Sequence, residues 1–148
     1  MDKTRPPSPR TTATAVALRE LLGQLRRRLR DEASTGDFSS SQLSVLFRLE
    51  RDGPATVTAL AQAEHMRSQS MGATVAALQA VGFVNGAAHP TDGRQILLSL
   101  TPACRAWIKA HRAAREDWLA HSMHSKLSAA EQKQLAEALP LLKRLVEP

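Results

Sequence analysis

The chain has 148 residues, one cysteine, 43% hydrophobic and 3% aromatic residues, and a formal charge of +6. Its length and apolar content support one compact domain or two small lobes, and they exclude a wholly disordered chain. A single cysteine excludes an internal disulfide scaffold, and the shortage of aromatics favours helices packed on Ala, Leu and Val over a β-sandwich.

Residues 1–10 hold no apolar run of the signal-peptide kind, and no uncharged stretch of ~18 apolar residues could cross a bilayer. The expectation is a soluble cytoplasmic protein with no membrane partner. The charge is uneven. Residues 1–30 carry Lys3, Arg5, Arg10, Arg19, Arg26, Arg27, Arg28 and Arg30 against Asp2 and Glu20, so 8 − 2 = +6, and the remaining 118 residues carry 12 basic and 12 acidic groups. The basic excess permits binding to a polyanion but does not locate a binding face.

Residues 1–12, rich in Pro, Ser, Thr and Arg, read as a flexible basic arm. Leu18, Leu21, Leu22, Leu25 and Leu29 then recur at three- and four-residue spacing, which predicts a helix over 13–30 with one apolar stripe. The segment Asp31 to Asp37 breaks that pattern. Ser39-Ser40-Ser41-Gln42 has the form of a capping box, with Phe38 placed as a hydrophobic staple, and Leu43, Leu46, Phe47 and Leu49 follow on one helical face. Asp52-Gly53-Pro54 stops that helix.

Thr56 or Thr58 can cap a short helix with Leu60 and Ala61 as its apolar positions. His65-Met66-Arg67 reads as a turn, and a further helix runs through Met71, Val75 and Leu78 to Gly82. Two helices around so short a turn have helix-turn-helix spacing. Phe83-Val84 opens an extended segment, His89-Pro90-Thr91-Asp92-Gly93 makes a turn, and Ile96, Leu98 and Leu100 alternate with Gln95, Leu97 and Ser99. A hairpin directly after the second helix is the wing of a winged helix.

Thr101-Pro102 starts another helix, with Thr101 as N-cap, that runs to about Ser125. Ser128-Ala129-Ala130-Glu131 is a second capping box. It opens a last helix carrying Leu135, Leu139, Leu142 and Leu145, which Pro140 should kink. The predicted fold is mainly α with a two-stranded β-hairpin wing: a winged helix-turn-helix plus a helical dimerisation region. The predicted parts are the arm at 1–12, an N-terminal dimerisation helix at 13–38, a DNA-binding lobe at 39–101 and C-terminal dimerisation helices at 102–148. The leucine-rich first and last helices predict a symmetric homodimer.

This order of elements resembles the multiple-antibiotic-resistance regulator (MarR) family of winged-helix regulators, across roughly residues 13 to 147. The most specific likeness runs from Arg67 to Thr101: R-S-Q-S-M, then L-Q-A-V-G-F-V, then H-P-T-D-G-R-Q-I-L-L-S-L-T. Two positions depart from the family pattern: Gly86 stands where members often carry an Arg, and Gly72 stands in the second turn of the recognition helix. The resemblance implies a sequence-specific transcriptional regulator. Its partner would be double-stranded DNA with a palindromic operator, and its action repression relieved by a small aromatic or phenolic effector. It implies no enzymatic activity and no cofactor. The alternatives are a helical protein-interaction dimer that has lost DNA binding, and a metal- or redox-responsive regulator.

On this reading Ser68, Gln69 and Ser70 open the recognition helix toward the major groove. Gln69 can pair with adenine, Ser70 can bond a base edge, and Ser68 can equally serve as the helix cap. Arg67 is placed for a phosphate. Arg94 at the wing tip suits a narrow minor groove, with Asp92 both making the turn and pairing with Arg94. Trp107 and Trp118, eleven apart on one helix, are either core or dimer seam, or the lining of an aromatic-ligand pocket of the kind the resemblance implies. Asp117, His121 and His124 share a helical face on which a metal such as zinc could sit. Cys104 lies in the first turn of a helix, where a thiol can be activated, although a small core thiol is the simpler expectation. No nucleophile elbow, P-loop or dinucleotide fingerprint is present.

Overall fold

The computed structural model describes residues 6–32 and 38–148. They form six helices and three short strands: α1 (Pro9–Glu32), α2 (Ser40–Asp52), β1 (Ala55–Thr56), α3 (Val57–Ala63), α4 (Ser68–Ala80), β2 (Val84–Ala88), β3 (Ile96–Leu100), α5 (Pro102–Lys126) and α6 (Ala129–Val146). The chain divides into two compact units. One holds residues up to Ser34 together with Arg112–Pro148, and the other spans Thr35–His111.

The second unit is a winged helix. Ser39 caps α2 by accepting from the Gln42 amide at 3.2 Å, and the Gln42 side chain accepts from the Ser39 amide at 2.7 Å. The capping box is thus made as its sequence predicts. Phe38 does more than staple this helix: its ring stacks on Phe83 at 5.2 Å and meets Trp107 edge-on at 5.3 Å. Thr56 caps α3 by accepting from the Ala59 amide. The core between the helices and the sheet is Val45, Leu46, Leu49, Leu60, Met71, Val75, Leu78, Val84, Leu98 and Ile108, all almost wholly removed from water.

The wing has a third strand that the sequence reading missed. The sheet order is β1-β3-β2, with Ala55 opposite Leu98 and Thr56 opposite Leu97 in one antiparallel ladder. In the other ladder Val84 opposes Leu100 and Ala88 opposes Ile96. Along β3, Leu98 and Leu100 point into the core, while Ile96 at the wing end stays half exposed.

The first unit holds α1, α6 and the second half of α5. α1 begins at Pro9, four residues earlier than predicted, because the Ser8 hydroxyl accepts from the Thr11 amide at 3.2 Å and Pro9 fits the first helical position. Residues 9–12, expected in the arm, are therefore helical; Lys3 and Arg5 lie outside the described residues. Ser128 and Glu131 form the second capping box, and α6 continues through Pro140 rather than ending there. Neither α1 nor α6 contains a buried residue, and Leu21, Leu22, Leu139, Leu141, Leu145 and Val146 are exposed. No helix among the described residues is long and apolar enough to cross a membrane.

Candidate nucleic-acid interface

The helix-turn-helix is held in shape from below and at its corner. From below, Met71, Val75 and Leu78 anchor α4 in the core and leave Ser68, Gln69, Ser70, Ala73 and Ala76 on its outer side. At the corner, the chain leaves α3 through His65, which adopts a left-handed φ of 53°, and the Met66 amide donates to the Ala61 carbonyl at 2.8 Å. Arg48 of α2 reaches this corner. Its guanidinium donates to Glu64, the C-cap of α3, and to the Ala63 carbonyl at 3.5 Å, and it meets Asp52 at 3.4 Å. The hydrogen bond from Arg48 holds the Glu64 carboxyl below its ordinary range, with Ser44 and the nearby positive charges adding to that effect. Sequence reading did not single out this clamp, because its partners stand sixteen residues apart on different helices.

Of the predicted contact residues, Arg67, Ser68, Gln69 and Ser70 lie together and exposed at the α4 start. The cap position falls on Arg67, which makes no side-chain cap bond, so Ser68 is the first helical residue and does not cap the helix. At the other end, Gly82 takes a left-handed φ of 75°. There the Phe83 amide donates to the Leu78 carbonyl and the Gly82 amide to that of Gln79, a Schellman close that turns the chain into β2. Thr101 ties this junction to α5, donating from its hydroxyl to the Gly82 carbonyl at 2.7 Å and accepting from the Cys104 amide.

Arg94 is exposed at the wing tip as predicted. Asp92 holds it differently from the expectation. Its carboxylate accepts from the Arg94 backbone amide at 3.1 Å and from the Gln95 side-chain amide at 3.0 Å, and among the described residues it forms no ion pair with the Arg94 guanidinium. These two donors lower the Asp92 pKa, the Arg94 backbone amide most of all. The geometry is an Asx turn, which fixes the backbone and leaves the guanidinium to solvent. His89 completes the tip: its Nδ1 accepts from the Thr91 and Asp92 amides at 3.3 and 3.2 Å. Gly86 is a packing position. A Cβ there would sit 2.7 Å from Ile96 Cγ2 and 3.4 Å from Gln79 Nε2, whereas a Cβ on Gly72 would meet open space.

The remaining predicted residues separate. Trp107 stacks on His111 at 4.8 Å and meets Phe83 at 5.5 Å within the winged-helix unit. Trp118 belongs to the other unit, where the Arg28 guanidinium lies 5.8 Å from its ring centre. Asp117, His121 and His124 do not form a metal cluster among the described residues, and His121 Nδ1 instead donates to the Asp117 carbonyl at 2.8 Å. Spacing on one helical face did not suffice, because the imidazole found its own backbone. Cys104 is fully buried, and burial pushes its thiol up to about 11, which overrides the helix start that suggested activation.

Comparison with known proteins agrees with this architecture. Residues 38–96 match the MarR family. The chain is 40% identical to an HTH-type transcriptional regulator of Mycobacterium bovis over 124 residues, which cover 84% of this chain and 86% of that one. It is similar to the crystal structure of a putative transcriptional regulator protein from Pseudomonas aeruginosa at a TM-score of 0.82 and 36% identity, covering 96% and 99% of the two chains. At the level of fold it is also similar to a mutant of S. aureus MepR bound to an oligodeoxyribonucleotide, with a TM-score of 0.66, 17% identity, and 90% and 98% coverage.

Proposed function

The chain is a transcriptional regulator of the MarR family, and from that premise we propose that it is a homodimeric repressor that reads a palindromic operator. The observation that carries this reading is the joint exposure of Arg67, Ser68, Gln69 and Ser70 at the start of α4 with Arg94 at the wing tip. The first residues of a recognition helix are the ones that reach base edges, and Gln69 offers the paired donor and acceptor that adenine requires. Arg67 positions the lobe on phosphate, and Arg94 enters a narrow minor groove. A neighbour sharing this fold is bound to an oligodeoxyribonucleotide, which supports the same use here.

The dimer follows from α1 and α6. Their exposed leucines make two apolar faces with nothing buried, and a second copy of the same faces removes both from water. Relief of repression by a small aromatic or phenolic effector completes the proposal, with Trp107 and Trp118 as intrinsic fluorescence reporters. Such an effector releases DNA only by binding the DNA-free state better than the bound one.

The test begins with duplexes selected by the protein from a random-sequence pool. Gln69→Ala should relax preference at one base pair per half-site. Arg94→Ala should blunt preference for A·T-rich flanks, each at a cost of about 1–3 kcal/mol. If no palindrome is enriched, or if both variants bind like the parent while remaining folded dimers, the operator-reading role fails and the interaction-dimer alternative replaces it.

A further inference from the structure

We propose that His89 is a proton-sensitive latch of the wing: its neutral imidazole holds the tip closed, and protonation opens it. The consequence for DNA rests on the role given to the wing under the proposed function.

The tip is built around one nitrogen. His89 Nδ1 accepts from the Thr91 amide at 3.3 Å and the Asp92 amide at 3.2 Å, and it lies 3.3 Å from the Thr91 hydroxyl. A ring nitrogen that accepts must carry its lone pair, so the proton of the neutral ring sits on Nε2. Pro90 follows directly and has no amide hydrogen of its own to offer the turn. Asn and Asp side chains commonly close such turns by accepting from the amide two residues on. His Nδ1 does the same here, being bonded to Cγ as an Asn oxygen is. Unlike Asn, however, histidine gains a proton between about pH 5 and 8.

An imidazolium carries hydrogen on both nitrogens and accepts nothing. When Nδ1 takes a proton from solvent, the Thr91 and Asp92 amides lose their acceptor and face a third donor. The disturbance has a route to Arg94. Asp92, whose amide His89 holds, uses its own carboxylate to hold the Arg94 amide and the Gln95 side chain. The new Nδ1–H competes for that same carboxylate. The charged residues that share the turn with the ring are Asp92 and Arg94. The strands that carry the turn, β2 and β3, contain no titratable residue, and α4, which packs on β2, contains no charged one. The protonation state of His89 thus governs the frame from which Arg94 projects.

The experiment uses the full chain. Amide and histidine-ring NMR signals are followed from pH 8 to pH 5.5 in the wild type and in His89→Asn, which keeps an acceptor at the same place but does not titrate. The Thr91 and Asp92 amides should shift with the midpoint of the His89 ring in the wild type and stay flat in the variant. Amides that ignore the ring, or that move identically in His89→Asn, overturn the latch. In parallel, a duplex selected by the protein at pH 8 is compared with its G·C-flanked version at both pH values. The affinity ratio between the two should fall several-fold on acidification in the wild type and hold in His89→Asn. This ratio separates opening of the tip from the general gain in phosphate attraction that an added charge brings. A ratio with equal pH dependence in both proteins overturns the regulatory consequence. A protein that binds no duplex at either pH, yet shows the coupled NMR transition, refutes the operator-reading role and supports the latch.

Discussion

Removing Arg48 tests whether the recognition helix is positioned by an ion pair at the corner of the helix-turn-helix. The Arg48 and Glu64 side chains are only 27% and 18% exposed, their Nε and Oε1 atoms lie 2.5 Å apart, and the same guanidinium reaches the Ala63 carbonyl. Exposed pairs contribute about 0–1 kcal/mol, and breaking fully buried ones costs about 3–5. This half-buried, charge-assisted pair belongs between them, so a double-mutant cycle of Arg48→Ala and Glu64→Ala should give a coupling of about 1–2 kcal/mol at pH 7. Chemical denaturation of the four proteins measures it. The pH dependence has a fixed sign. Glu64 titrates in the folded protein below its ordinary value of 4.5, chiefly through the hydrogen bond from Arg48. Its stabilisation is therefore complete above that value and is lost as pH falls through the lowered one. The coupling should shrink on acidification to pH 3. A coupling indistinguishable from zero at pH 7, or one that grows in acid, would refute the reasoning.

Three further outcomes are expected. The protein should sediment at twice its 16.1 kDa chain mass, and Leu139→Lys with Leu145→Lys should halve that mass without loss of helicity. Replacing Lys3, Arg5 and Arg10 with Gln should flatten the slope of log affinity against log salt by about 0.9 for each phosphate no longer neutralised, leaving base preference unchanged; an unaltered slope would show that these residues do not touch DNA. Cys104 should resist thiol reagents at pH 8 in the folded protein and react readily once it is unfolded, since burial holds its pKa at about 11; equal rates in the two states would contradict that burial.

What could be read in the sequence was mostly what local chemistry determines. The two capping boxes, the Thr56 cap, the wing alternation and the Thr101 helix start each depend on residues within four positions of one another, and all are made as read. Strand β1 escaped notice because two residues carry no period, and only pairing with Leu97 and Leu98, some forty positions on, makes Ala55 and Thr56 a strand. The Arg48–Glu64 clamp escaped for the same reason. The start of α1 was lost to composition: a segment rich in Pro and Ser looks like an arm until Ser8 is seen to cap it. Around the candidate interface, Arg67, Ser68, Gln69, Ser70 and Arg94 lie exposed as expected, while several local contacts differ from the reading. Asp92 grips backbone instead of a guanidinium, Ser68 leaves the cap to Arg67, and Trp107 and Trp118 keep separate company despite an interval of three helical turns.

The two departures from the family pattern then separate into different kinds. Gly72 faces open space, so its lack of a side chain removes a possible contact and gains no packing in return. Gly86 lies where Ile96 of the opposite strand and Gln79 of the recognition helix converge, and any Cβ there would press on Ile96 Cγ2. The wing is thereby packed against the end of α4 that the Schellman turn already binds to β2. An Arg at position 86 would add a cation to a lobe whose residues 57–94 carry only Arg67 and Arg94 against Glu64 and Asp92. It would also separate the wing from the helix. On the proposed operator-reading role, a lobe with so little net charge gains little from general attraction to phosphate, and its discrimination would depend on holding Gln69 and Arg94 at a fixed separation. Gly86, the Asp92 turn and the Arg48 clamp all act on that separation, from the wing base, the wing tip and the helix corner.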